Sequence, residues 1–173
     1  PEDAAASRFW IKVFTATFAL GVATGITMEF SFGTNWADYA RFVGDIFGAP
    51  LAAEALLAFF LESVFLGVLL FGRKKVGKKF YLASAWLVWF GSCLSALWII
   101  IANSWMQTPA GAELSADGTQ AILTDSIAAA FNATTIPRYL HTVDALLIMG
   151  AFMALAIGAW YLKKGRHTEF ALR

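Results

Sequence analysis

The chain has 173 residues, 59% of them hydrophobic and only 14% charged. Soluble domains carry roughly a quarter charged residues, so an ordinary soluble globule is excluded and lipid is the expected solvent. The net charge of +1 offers no electrostatic footprint for nucleic acid, and a single cysteine, Cys93, excludes an intrachain disulfide framework or a cysteine-based zinc site.

The chain starts Pro1-Glu2-Asp3 with neither an initiator Met nor a signal-peptide pattern, which suggests a processed chain or a piece of a longer product. Four apolar runs follow, each long enough for a hydrocarbon core that takes about 20 helical residues to cross. They cover about 9–30, 51–72, 80–102 and 139–162. The runs are continuously apolar instead of alternating, so helices are expected and barrel strands are not. The fold class is therefore all-α: a polytopic membrane bundle of four transmembrane helices forming a single domain. Arg73-Lys74-Lys75-Val76-Gly77-Lys78-Lys79 joins the second and third spans, and Lys163-Lys164-Gly165-Arg166 follows the fourth. Four spans then place eleven of the thirteen Lys and Arg on one face, with Arg41 and Arg138 on the other. That bias predicts a cytoplasmic basic side, both chain ends included, with 31–50 and 103–138 facing outward. Turn chemistry at Phe32–Trp36 and a short interfacial helix over Asp125–Phe131 are expected in those outward segments.

The costly groups are few. The second span holds Glu54 and Glu62, and Glu54, Ala58 and Glu62 recur every fourth residue. In an α-helix this puts two carboxylates about 12 Å apart in depth on one slowly drifting stripe. An ionised carboxylate near a bilayer centre costs roughly 3 kcal/mol, so both should face a protein interior, as a proton relay or a ligand set. The plainer alternative is a pair of acids bonded to Ser or backbone groups to hold helices together. Ser63 adjoins Glu62, and Ser95 and Asn103 lie on the third span; hydroxyls and amides extend proton paths, though Ser in membrane helices often only permits close packing. The fourth span carries His141 and, three residues on, Asp144. Haem ligation, proton transfer, a His–Asp bond and polar packing all remain open for that imidazole. His167 lies in the basic tail, so two histidines cannot hold one haem within this chain. Gly21-Val22-Ala23-Thr24-Gly25 permits close approach by a helix or a flat cofactor.

Taken in order, several strings carry a resemblance. They are Gly21-Val22-Ala23-Thr24-Gly25 with Met28-Glu29-Phe30, Phe32-Gly33-Thr34-Asn35-Trp36, Gly44-Asp45-Ile46-Phe47-Gly48, and Glu54 with Ala58-Phe59-Phe60-Leu61-Glu62-Ser63. Leu94-Ser95-Ala96-Leu97-Trp98, Ala102-Asn103-Ser104-Trp105-Met106-Gln107 and His141-Thr142-Val143 complete the set. In this order the chain resembles subunit I of the cytochrome bd quinol oxidases, over its second to fifth transmembrane helices. The resemblance implies a terminal respiratory oxidase that oxidises membrane quinol and reduces oxygen to water in the bacterial cytoplasmic (inner) membrane. It implies a low-spin haem b with His141 as axial ligand to the iron, and a high-spin pair, haem b and haem d, lying partly outside this chain. Glu54 matches a ligand or proton donor at that pair, and Glu62, Ser63 and Ser95 match positions on a proton route. Implied partners are the remaining helices of subunit I, a second oxidase subunit, small accessory subunits, quinol, oxygen and membrane lipid. The family's preceding helix with a His ligand, its Met ligand and its quinol-binding loop have no counterpart here, so turnover by this chain alone is not expected. Two readings from other classes compete: a proton-coupled transporter using Glu54 and Glu62, and a structural bundle anchoring partner subunits.

Overall fold

The computed structural model describes residues 2–172. Its elements in order are α1 (Glu2–Gly33), α2 (Ala37–Phe42), α3 (Gly44–Ala53), a π-helical turn (Glu54–Phe59), α4 (Phe60–Phe71), α5 (Lys78–Gln107), β1 (Ala112–Leu114), β2 (Ala121–Leu123), α6 (Ser126–Ala130), α7 (Thr135–Lys163) and α8 (Thr168–Ala171). Four stretches are long and apolar enough to cross a membrane: Ala4–Gly33, Gly44–Phe71, Lys78–Gln107 and Ser126–Lys163. The expected four-helix bundle is present, and each of these stretches is longer than its apolar run. The second begins at Gly44, because Gly48 and Pro50 are absorbed into α3 instead of ending it.

Contacts order the helices into two ends. At the basic end, Phe9 on α1 meets Tyr161 on α7 and Phe170 on α8, with ring centroids 6.4 and 5.5 Å apart. Beside them Leu66, Leu69 and Val88 form a core onto which Ile11, Phe18, Phe65 and Tyr81 pack. The Tyr81 hydroxyl donates to the Leu69 carbonyl (2.9 Å), which ties α5 to α4 just beyond the basic loop.

The opposite end carries a cap that the apolar runs did not reveal. The strands β1 and β2 pair antiparallel, Glu113 opposite Ile122, a small departure from the all-α expectation. Three residues per strand give too short an alternation to read as β. Between them Asp117 accepts hydrogen bonds from the Ser115 and Thr119 hydroxyls (2.6 and 2.8 Å), and these donors hold its carboxyl down at about 2. Val43, Ile46, Phe47, Trp105, Ala121 and Ala129 make the core beneath. The Leu123 amide donates to Asp45 (2.8 Å), fastening the hairpin to α3. The helix expected over Asp125–Phe131 is α6, and the Asp125 carboxylate caps it by accepting from the Ile127 and Ala128 amides. A buried hydroxyl–amide knot finishes the cap: Ser104 donates to Asn132 (2.7 Å) and lies 2.7 Å from the Thr134 hydroxyl.

Candidate functional site in the membrane-spanning bundle

The carboxylates of the second span face α5, and each finds its own serine. The Ser95 hydroxyl donates to Glu54 Oε1 (2.8 Å). The Ser92 hydroxyl donates to Glu62 Oε1 and also lies 3.2 Å from the Val88 carbonyl. Ser92 and Ser95 are three residues apart on one helix and therefore share a face, so a single turn of α5 serves both acids. Glu62 is buried, at 7% exposure. Glu54 is half-buried, and its second oxygen has no hydrogen-bond partner among the described residues.

Two backbone features make this pairing possible. One is the π-helical turn Glu54–Phe59. In an unbroken α-helix, eight residues would separate Glu54 and Glu62 by about 80° around the axis; the one-residue excess of a π turn brings that to roughly 20°. Both acids thus come round to α5 more squarely than the fourfold spacing in sequence implies. The other is Gly91 on α5. A Cβ there would lie 2.7 Å from Glu62 Cγ and 3.4 Å from the Ala58 carbonyl, so a hydrogen is what lets the helices meet at Ala58, which is itself fully buried.

The remaining candidates are placed as follows. The Ser63 hydroxyl donates to the Phe60 carbonyl of its own helix (3.2 Å), not to its neighbour Glu62. His141 and Asp144 sit on an uncovered face of α7, and neither makes a side-chain hydrogen bond among the described residues. Gly21 and Gly25 likewise have open space around them. Asn103 accepts from the Arg138 guanidinium (3.3 Å), and Gln107 accepts from it as well. The Tyr139 hydroxyl donates to the Cys93 carbonyl (3.1 Å), joining α7 to the turn that carries Ser92 and Ser95. Between α3, α5 and α6 lies an apolar cavity of about 410 Å³ lined in part by Pro50, Ala53, Leu97 and Trp98. The Trp98 indole N–H is buried without an acceptor among the described residues. No cluster of three or more His, Cys, Asp or Glu able to hold a metal ion occurs among the described residues.

Sequence reading missed Ser92 and Gly91. The signal for Ser92 was available: it precedes Ser95 by one helical turn. The Ser92→Ala variant should leave a buried carboxyl short of its hydroxyl donor. A loss of about 1–3 kcal/mol is expected, measured as lower thermal stability of the assembled membrane protein; unchanged stability would contradict the pairing.

Residues 2–173 match the family model described as cytochrome bd terminal oxidase subunit I. The chain belongs to the cytochrome bd terminal oxidase subunit I family. Over 167 residues, 96% of this chain, it is 53% identical to cytochrome bd-II ubiquinol oxidase subunit 1 of Escherichia coli (strain K12), covering 32% of that protein. It is 44% identical over 164 residues, 95% of the chain, to cytochrome bd ubiquinol oxidase subunit 1 of Bacillus subtilis (strain 168), covering 35% of it. A putative cytochrome bd menaquinol oxidase subunit I of the same Bacillus strain is 22% identical over 167 residues, 96% of this chain and 37% of that protein. The chain spans about a third of the length of these curated relatives. The family and the four long apolar helices point to a multi-pass membrane protein.

Proposed function

We propose that this chain supplies part of the haem-binding and proton-delivering scaffold of an oxidase that takes electrons from membrane quinol and reduces oxygen to water. The observation that carries the reading is the pair of intramembrane carboxylates, Glu62 and Glu54, each bonded to a hydroxyl on the same turn of α5. Intramembrane acids mark proton or ion pathways far more often than they serve as packing. In this reading the basic end faces the cytoplasm, in the bacterial inner membrane.

The residues present fit a bound porphyrin. His141 has both ring nitrogens free on an apolar, uncovered face of α7, which suits it to be the axial ligand of a low-spin haem b. Glu54 has an unpartnered carboxylate oxygen and directly follows Ala53, which lines an apolar cavity with Trp98; this would suit a group of the high-spin pair, haem b and haem d. When bound, these groups supply electron transfer and the iron at which oxygen is reduced.

The work of the protein is to move protons. Every electron delivered to oxygen calls for a proton inside a dry bundle. Glu62, the deeper acid towards the basic end, takes a proton on its carboxylate; Ser63, the next residue of α4, is at the same depth with its hydroxyl on the Phe60 carbonyl. The Ser92 and Ser95 hydroxyls each donate and accept, so they bridge the two depths, and Glu54 is the last carboxylate before the oxygen site. Quinol, a second oxidase subunit, small accessory subunits and the rest of subunit I complete the enzyme.

The test is the reduced-minus-oxidised spectrum of the complete oxidase. His141→Ala should abolish the low-spin b band and leave the high-spin bands in place. A spectrum with every haem band intact would sink the ligand assignment.

A further inference from the structure

Arg138 lies on α7 three residues before His141 and therefore one turn away, towards the cap. Along that helix Tyr139 points at α5, where its hydroxyl meets Cys93, while His141 lies on the uncovered face. Arg138 falls between those two directions, about 100° from one and about 60° from the other. Its guanidinium is held by two neutral amides, Asn103 and Gln107. Amide oxygens fix the position of a guanidinium without cancelling its charge. The other cation assigned to this side, Arg41, has Asp38 at 3.8 Å, whereas no acidic side chain lies within ion-pair distance of Arg138 among the described residues. A guanidinium carries five donors in a planar fork suited to a carboxylate, and the two amides leave part of that fork free.

We propose that Arg138 is an anion-binding residue that receives a propionate carboxylate of the haem on His141, with Asn103 and Gln107 as the positioning residues that aim it. The inference rests on the reading of His141 given above. Arg138 stands one turn of α7 from His141, so its free donors would reach a carboxylate on a group that His141 would hold, at the cap end of the helix. The paired cation favours ferrous over ferric haem, because it offsets the propionate charge that stabilises the extra positive charge on iron.

The experiment is redox titration of the low-spin b band in the complete oxidase. In Arg138→Gln the band should remain, with the ferrous-to-ferric ratio at fixed ambient potential lowered about tenfold, about 59 mV for a one-electron couple. Arg138→Lys, which keeps the charge, should recover most of that shift. Redox-difference infrared spectra recorded with haem carrying ¹³C at its propionate carboxyls separate the sources of the carboxylate. A carboxylate band that carries the label should move in Arg138→Gln, and a moving band without the label would assign the carboxylate to protein and overturn the proposal. An unchanged potential in Arg138→Gln with ordinary haem would overturn it too. If Arg138→Gln does not assemble, Arg138→Lys decides. Its ferrous-to-ferric ratio should stay within about threefold of the parent while the labelled propionate band moves, and a labelled band left at the parent's position would overturn the proposal. These outcomes are separate from those of His141→Ala, where the band itself is lost or kept.

Discussion

Oxygen uptake by the complete oxidase is expected to fall about 100-fold or more in the Glu62→Ala variant, with all haem bands retained. General acid–base groups contribute roughly 10²- to 10⁴-fold, and in the proposed relay Glu62 is the group that would hold the proton between the basic end and Glu54. The retained bands matter, because Glu62 bonds to Ser92 and not to any group suited to ligate iron. Glu62→Asp should recover part of the rate, since it keeps the carboxyl while shortening its reach to Ser92. Uptake measured with a soluble quinol analogue checks this. A rate within twofold of the parent in Glu62→Ala would show that protons take another path.

The second large effect is expected from Gly91→Val. Even a single Cβ at this position would come within 2.7 Å of Glu62 Cγ, and that carbon is near the root of a buried side chain and not a loose tip. A branched side chain must drive α4 and α5 apart or twist Glu62 off Ser92. Overpacking of this kind costs typically 1–3 kcal/mol, and here it falls on the contact that aligns both acids. The outcome to look for is reduced assembly of the oxidase and a disturbed high-spin haem band, with a smaller change in the low-spin band. Gly91→Ala should give the same pattern more weakly. Normal assembly and an unaltered high-spin band in Gly91→Val would mean that the close approach is not needed.

The four spans were legible because their apolar runs have the length that a bilayer demands, and Arg73–Lys79 marked which ends lie together. Glu54, Glu62 and His141 stood out because charge and imidazole are costly in such runs. What could not be read was how the acids are met. The fourfold spacing of Glu54, Ala58 and Glu62 suggested a stripe, but the π turn that squares it to α5 leaves no composition signal in Glu54-Ala55-Leu56-Leu57-Ala58-Phe59. Ser63 drew attention through adjacency in sequence, yet adjacent helical residues point about 100° apart. Ser92, on another helix, is the one that meets Glu62. The hairpin of the cap was hidden for a different reason: its order comes from Asp117, Asp45 and a shared core with Trp105, all tertiary or turn contacts.

The aromatic meeting of Phe9 with Tyr161 and Phe170 joins the first and last long helices at one end, whereas Gly21 and Gly25 further along have nothing against them. α1 has 32 residues and is therefore about 48 Å long. It is held over its first half, by Phe9 and by Phe18 stacked on Phe59, so a tilt of ~5° about Phe18 carries its far tip roughly 2 Å sideways. A partner packed on the open side of α1 would therefore set the width of the bundle at the cap end far more than at the basic end.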